Sequence, residues 1–282
     1  MKKTTLDRHL RHNETAAEAT SFGCEEFFHD DWANSIDPAD VMVDEYFEAC
    51  TSPENRIILQ RLGNLKDKKV LDLGCGAGEA SVYFAKKGAH VTAADISGGM
   101  LEVVQQVAAR HNTSVITKRS VSHALDCNDE SFDIVYAANL LHHVEIEPTL
   151  AEVKRVLKPG GVFVCWDPLA HNTLINIYRR IATNVRTENE HPLRMSDIKT
   201  FKHFFSKVSY KATWFFTLWI FIKFYFIERI DPNKERYWKK ILIDHRRLEK
   251  TYSFLEKLDQ LFLRLFPFMR RYCWNIVLVC VK

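Results

Sequence analysis

No two of the seven cysteines (24, 50, 75, 127, 165, 273 and 280) are spaced C-x-x-C. Without such pairs the chain has neither a zinc-ribbon pattern nor a regular disulfide framework, and the expectation is reduced thiols, a cytoplasmic setting and no metal site. The amino terminus, Met1-Lys2-Lys3-Thr4-Thr5-Leu6-Asp7-Arg8, lacks the apolar core of a secretory signal. There is no internal repeat and no low-complexity linker. The longest apolar run, Trp214 to Ile227, has 14 residues interrupted in character only by Thr217 and Lys223. It falls short of the about 20 residues that a spanning helix needs. The dinucleotide fingerprint G-x-G-x-x-G is absent too, because the residue after Gly74, Gly76 and Gly78 is Glu79.

What the chain does have is 282 residues with 46% hydrophobic content, enough for one α/β domain with a substantial addition. Net charge is only +3, yet it is unevenly placed. Residues 199–282 hold 18 Lys/Arg against 7 Asp/Glu, and residues 1–198 hold 21 against 29. A basic segment that is also aromatic suggests an anionic membrane surface or a large apolar ligand, the plainer alternative being a solvated helical face.

Residues 1–53 show no clear period and carry aromatic clusters (Phe22, Phe27, Phe28, Trp32, then Tyr46 and Phe47), which reads as a cap of short helices. Ser52-Pro53 is a helix start, with Ser52 as the capping residue. Five strands alternate with helices: 69–73, 90–96, 115–117, 132–138 and 162–166. Ser97 caps a helix over about 98–111, whose Met100, Val103, Val104 and Val107 recur at helical spacing. Phe132 to Ala138 is nearly all apolar, as a strand buried on both faces should be. Lys158-Pro159-Gly160-Gly161 reads as a turn. Residues 208–215 and 274–281 are candidate last strands, with about fifty residues of helical pattern between them. This alternation calls for a doubly wound parallel sheet.

The chemistry concentrates at carboxyl ends of strands. Asp72-Leu73-Gly74-Cys75-Gly76-Ala77-Gly78 follows the apolar Val70-Leu71, and Asp95 lies at the end of the next strand. Glycines there let a ligand approach the backbone, and Asp95 stands where a carboxylate accepts both hydroxyls of a ribose. Asn139-Leu140-Leu141-His142-His143 follows the fourth strand. His142 and His143 are candidates for deprotonating or orienting an acceptor, against the plainer reading of a histidine bonded to backbone at the turn. Beyond the fifth strand, His171, Tyr178, Arg179 and Arg186 could grip an anionic or hydroxylated acceptor, or form an ordinary salt-bridged surface with Glu188 and Glu190.

Taken together, the strand, the glycine loop and the two acids resemble the class I S-adenosylmethionine-dependent methyltransferases, firmly over residues 69–167. The group most similar contains the quinone, sterol and tocopherol methylating enzymes. The resemblance implies a Rossmann-like α/β fold: a seven-stranded, mostly parallel sheet of order 3-2-1-4-5-7-6, its seventh strand antiparallel. It divides the chain into a cap (1–53), the methyltransferase domain (54–215 and 271–282) and a helical insertion (216–270). It implies S-adenosylmethionine as cofactor, held by Asp72, Gly74, Cys75, Gly76, Gly78, Asp95, Ile96, Met100, Val121, Ser122 and Asn139. The family often has an acid near the adenine where this chain has Val121, a departure that leaves backbone groups of Val121 and Ser122 for that edge.

The function so implied is methyl transfer to a small or lipid-like acceptor, driven by positioning. The alternative from a different class is a catalytically silent, cofactor-binding or membrane-associated interaction protein. Nucleic acid is not an expected partner, because Asn-Leu-Leu-His replaces the Asn/Asp-Pro-Pro-aromatic clamp for a flipped base. For the apolar run, read as a helix, and the basic helical pattern behind it (Trp238, Ile241, Leu242, His245, Leu248), the readings are docking on an anionic membrane, a roof over a lipid-like acceptor, a structural cap, or a homodimer interface. Membrane docking would make the protein peripheral at the inner face.

Overall fold

The computed structural model describes residue 23 and residues 25–181 and 190–282. Arg186 and Glu188 therefore lie outside the described residues. Seven strands form a single sheet: β1 (Lys69–Leu73), β2 (His90–Asp95), β3 (Val115–Arg119), β4 (Phe132–Ala138), β5 (Leu157–Pro168), β6 (Lys207–Thr213) and β7 (Asn275–Val281). Their order is β3-β2-β1-β4-β5-β7-β6, with β7 antiparallel to both neighbours and the β3-β2-β1-β4-β5 pairs parallel. The expected order is borne out.

Helices cover both faces. The described ones are α1 (25–34), α2 (Val43–Glu48), α3 (Pro53–Leu62), α4 (Glu79–Lys86), α5 (Gly98–Arg110), α6 (Ile146–Val156), α7 (Thr173–Ile181), α8 (Ile198–Phe204), α9 (Trp219–Ile222), α10 (Tyr237–Ile243) and α11 (His245–Leu265). Val70, Val82, Phe84, Met100 and Val104 pack on one side of the sheet, and the amino-terminal residues Ala33, Val43 and Phe47 belong to that same core. The stretch before the sheet is thus fastened into the main hydrophobic layer. Leu71, Val135, Leu150, Val153 and Phe163 pack on the other side. Burial of these side chains on both faces is what allows strands as uniformly apolar as β4.

Local signals explain the ends of several elements. Ser97 accepts a hydrogen bond from the Met100 amide at 3.0 Å and caps α5 as its sequence implies. Ser52 does not cap α3: its hydroxyl donates to the Tyr46 carbonyl at 2.6 Å, and no side-chain cap is made. The expected turn at 158–161 lies inside β5, which begins at Leu157 rather than 162. Phe132 pairs with Leu157 while Ile134 pairs with Val162, so Lys158 to Gly161 bulge out opposite Asp133 without ending the ladder.

The apolar run after β6 is not one helix. Trp214 takes φ +65°, and the chain then passes through a 3₁₀ turn (Phe216–Leu218), the short α9 and a π turn (Lys223–Ile227). Leu218, Ile220, Phe221 and Phe224 turn inward, onto Trp214, Tyr237 and Tyr252, in a third core. The helix expected across residues 238–248 is likewise broken, between α10 and α11, at Asp244.

Gly78, the residue that caps α4, has φ +90°, and a Cβ there would lie 2.9 Å from Val104 Cγ2 and 3.3 Å from the Val104 backbone. Replacing it with alanine is expected to cost about 2–4 kcal/mol, combining left-handed strain with a clash against α5. A urea denaturation midpoint unchanged from wild type would contradict this.

Candidate active site at the carboxyl edge of the sheet

The loop between β1 and α4 is held open by backbone bonds together with the Asp95 carboxylate. The Gly74 and Cys75 amides donate to the Ala94 carbonyl at 2.8 and 3.2 Å, and the Gly78 amide donates to Cys75 at 3.0 Å. Gly76 has φ +50°, and a Cβ on it would meet no atom within 4 Å. Its backbone therefore borders open space that a side chain would enter, as the cradle of a closely held ligand requires.

Carboxylates surround this cradle. Asp95 Oδ2 accepts the Gly76 amide and its Oδ1 accepts the Ser97 amide, each at 3.0 Å. Asp95 thus ties the glycine loop to the turn that begins α5. Asp72 is buried and accepts Ser81 Oγ from α4 at 2.5 Å. Burial pushes its carboxyl up to about 7; the Ser81 hydrogen bond opposes that, and the charges of Glu79 and Asp95 add to it. Glu79, the first residue of α4, is also pushed up by burial. Three acids gathered around a helix amino terminus repel a phosphate, the usual ligand of such a terminus, and favour a cation.

The other proposed cofactor contacts are spread around the same edge. Ile96 and Met100 lie on either side of the Ser97 cap, Met100 fully buried. Cys75 is buried, its Sγ toward the Gly76 carbonyl. Val121 makes a bridge with Ala124, and Ser122 Oγ is 3.0 Å from Thr149 Oγ1, so the Ser122 side chain joins α6 to the loop after β3. Asn139 sits at φ +52° with its amide on the Trp166 carbonyl, which aims the chain after β4 out of the sheet.

Helix α1 lies across the mouth. Its Asp30 Oδ1 accepts Ser97 Oγ at 2.5 Å and the Gly99 amide at 3.0 Å, while Glu26 pairs with Arg119 at the end of β3 and Glu25 with His143 after β4. Trp32 stacks under Arg236, whose guanidinium carbon is 4.5 Å from the ring centre. One helix therefore touches the ends of three strands and the insertion. None of its acids stood out in the sequence, since nothing local marks the contacts they make to the strand ends, 67 or more positions away.

The two histidines have different environments. His142 is buried, and Asp167 Oδ1 at the end of β5 receives both its backbone amide (3.1 Å) and its Nδ1 (2.7 Å). Burial and the neighbouring His143 hold His142 well below the ordinary imidazole range; burial raises Asp167 to about 7. His142 is therefore a neutral imidazole, and the commitment of its Nδ1 to Asp167 fixes one tautomer. His143 is half-buried, its Nδ1 3.4 Å from Glu25 Oε1 and its ring 4.0 Å from that of His142. His143 thus lies nearer the mouth, and His142 is the anchored member.

Of the candidates after β5, the described ones, His171, Tyr178 and Arg179, have different surroundings. His171 is exposed; Tyr178 packs 5.2 Å from Tyr237 and 5.9 Å from Phe221 in the insertion's core. Arg179 is close enough to act on the charge of His142, as is Glu190.

The profile of the methyltransferase domain family matches residues 71–165. Over those residues the chain is a methyltransferase domain of the class I, S-adenosylmethionine-dependent type. It is 38% identical over 122 residues to a ubiquinone biosynthesis O-methyltransferase of Serratia proteamaculans, covering 41% of this chain and 48% of that one. It is 41% identical over 101 residues to a demethylmenaquinone methyltransferase of Clavibacter sepedonicus, covering 35% and 40%. The chain spans about half the length of the curated relatives it matches. Among solved structures, a phosphoethanolamine N-methyltransferase of Haemonchus contortus aligns with TM-score 0.56 at 20% identity, over 86% of this chain and 57% of that one. A putative sarcosine dimethylglycine methyltransferase of Galdieria sulphuraria aligns with TM-score 0.52 at 16% identity, over 80% and 82%. These two likenesses are of fold.

The donor set in the domain fits its cofactor. Gly76 supplies the open cradle, and Asp72, Glu79 and Asp95 supply carboxyl groups whose ionised form a ligand carrying an ammonium and a sulfonium would stabilise. When bound, the cofactor supplies an activated methyl group. The protein's own part is to hold, orient and keep water away.

Proposed function

We propose that this protein is an S-adenosylmethionine-dependent methyltransferase acting on a small, largely apolar, quinone-like acceptor delivered from a membrane surface. The acidic, glycine-lined crevice carries the reading. Its charge suits a sulfonium nucleoside and disfavours phosphorylated nucleotides, and the family match over the same residues supports it. In this reading His143, at the mouth, takes the proton of an acceptor hydroxyl or orients it, and Asp167 holds His142 in one tautomer behind it. Arg179 is the cation on the acceptor side for an oxyanion.

Support for an apolar acceptor and for peripheral docking comes from α11. Phe254, Leu258, Leu261 and Leu265 recur at helical spacing and are 37–63% exposed, and Phe266 and Phe268 continue the stripe. Phe226 and Ile227 of the insertion are exposed as well, at 71% and 63%. The surrounding segment is the basic one. An apolar ridge set among Lys and Arg matches an anionic bilayer surface. Among the described residues no helix is long and apolar enough to cross a membrane.

Two measurements test this. Incubation with S-adenosylmethionine and a bacterial lipid extract should produce a quinol species heavier by one methylene, found by mass spectrometry. An extract with no new methylated lipid while a water-soluble acceptor is methylated would overturn the acceptor class. Flotation with anionic vesicles should recover the protein, and Phe254→Glu with Leu261→Glu should reduce recovery at least about tenfold. A parent that stays with the unbound fraction refutes docking, and sedimentation as a dimer would then assign the stripe to a second copy.

A further inference from the structure

We propose that His142, His143 and Glu190 form a binding site for one divalent transition-metal ion of the zinc class, beside the cofactor crevice. His142 and His143 stand where β4 gives way to α6, and Glu190 reaches them from the segment before α8. Each offers one ligand atom, and these atoms lie within 4.8 Å of one another. No local spacing in the sequence announces such a set, because Glu190 is brought in by tertiary contacts. The His191 amide donates to the His142 carbonyl at 2.7 Å, and the Leu193 amide to Pro168 at 3.0 Å, which bind that segment to the carboxyl edge of the sheet.

Three features separate this cluster from a chance meeting of polar groups. Two imidazoles and a carboxylate are the borderline donor set that zinc and its first-row neighbours take in three-ligand sites. His142 has Nδ1 committed to Asp167 Oδ1 at 2.7 Å, which leaves Nε2 as the nitrogen to offer. That carboxylate–imidazole arrangement is the usual outer support of a metal-bound histidine. The charges that act on His142 are the carboxylates of Glu190 and Glu25 and, against them, Arg179 and His143, and His143 must be neutral to bind a metal, which leaves two carboxylates against one guanidinium.

Ligand atoms around a tetrahedral zinc ion lie roughly 3.3 Å apart, so binding requires the three groups to draw together. His143 is only half-buried and can do so by turning from Glu25. Three protein ligands leave a fourth position for water or for an oxygen of the acceptor, and with the ion bound His143 helps to orient the acceptor through it and takes no proton. The role toward the acceptor rests on the methyltransferase reading; metal binding itself does not.

The test uses the full chain, with any affinity tag removed and metals stripped. It is titrated with Zn²⁺ against a chromophoric chelator, and separately with Co²⁺, whose visible absorption reports tetrahedral coordination. About one equivalent of either ion should bind, with Mg²⁺ in excess failing to displace it. His143→Ala and Glu190→Gln should each weaken binding at least about tenfold, and Asp167→Asn by about 10–100-fold through the misorientation of His142. Thermal melts check that the variants are folded; should Asp167→Asn fail to fold, the half-buried His143 and Glu190 positions decide the matter. The proposal is overturned if the wild-type chain holds no equivalent of Zn²⁺, or if His143→Ala combined with Glu190→Gln binds as tightly as wild type. Cofactor affinity, measured by calorimetry on the stripped protein, is independent of this result, so failure of the metal site and failure of the methyltransferase reading are told apart.

Discussion

Asp95→Ala is expected to lower the affinity for S-adenosylmethionine at least about 100-fold. Asp95 does two things at once. It accepts the Gly76 and Ser97 amides, each at 3.0 Å, and so sets the shape of the cradle before any ligand arrives. It also stands at the end of β2, where a carboxylate in this fold accepts ribose hydroxyls. A hydrogen bond to a charged group contributes about 1.5–3 kcal/mol, so losing two or more exceeds the about 2.7 kcal/mol that corresponds to 100-fold. Asp95→Asn should lose less, because the shape is kept while one acceptor atom becomes a donor facing a backbone N–H. Isothermal calorimetry on the three proteins, with circular dichroism to confirm folding, checks this order. If Asp95→Ala binds as tightly as wild type, the crevice described here is not the cofactor site.

Much of this site was legible because its residues are local. The loop Gly74 to Gly78 follows its own strand, Asp95 ends the next one, and both strands are marked by short, mostly apolar segments that need no tertiary information. β4 has the bounds its apolar run implies, Phe132 to Ala138. What was illegible depends on partners distant in the chain. Asp30 on Ser97, Glu25 on His143 and Glu190 beside His142 join segments that no period or spacing connects. The bulge at 158–161 was hidden for a related reason. Pro159-Gly160-Gly161 has the composition of a turn, and only the pairing of Leu157 with Phe132 keeps the strand going through it. The aromatic run after β6 misled by its uniformity. Composition cannot say which of the twelve apolar residues in this run face inward, and here a positive φ at Trp214 followed by 3₁₀, α and π turns splits them between a buried core and an exposed ridge.

The second large effect is on pH. The Asp72 carboxyl has an ordinary value of 3.8 and is pushed up to about 7, chiefly by burial, with Ser81 opposing and the charges of Glu79 and Asp95 adding. In the unfolded chain it ionises at its ordinary value, whereas the folded protein keeps its proton until about pH 7. This group therefore favours the folded state less as pH rises between those two values, the reverse of an ion-paired aspartate, with an upper limit of order 4 kcal/mol. A cationic ligand in the crevice stabilises the ionised form and draws that value down again. Binding of S-adenosylmethionine should accordingly release a proton, and its affinity should rise with pH, by up to about tenfold per unit, before levelling off above pH 7. Calorimetry at pH 6 in two buffers of different ionisation heat measures the proton directly. Asp72→Asn should bind more weakly at pH 8 yet show a profile with most of that slope removed. A wild-type affinity that is flat from pH 5.5 to 8, with no proton released, would mean that the buried carboxyl is insulated from the ligand and serves only to fasten α4 to β1 through Ser81.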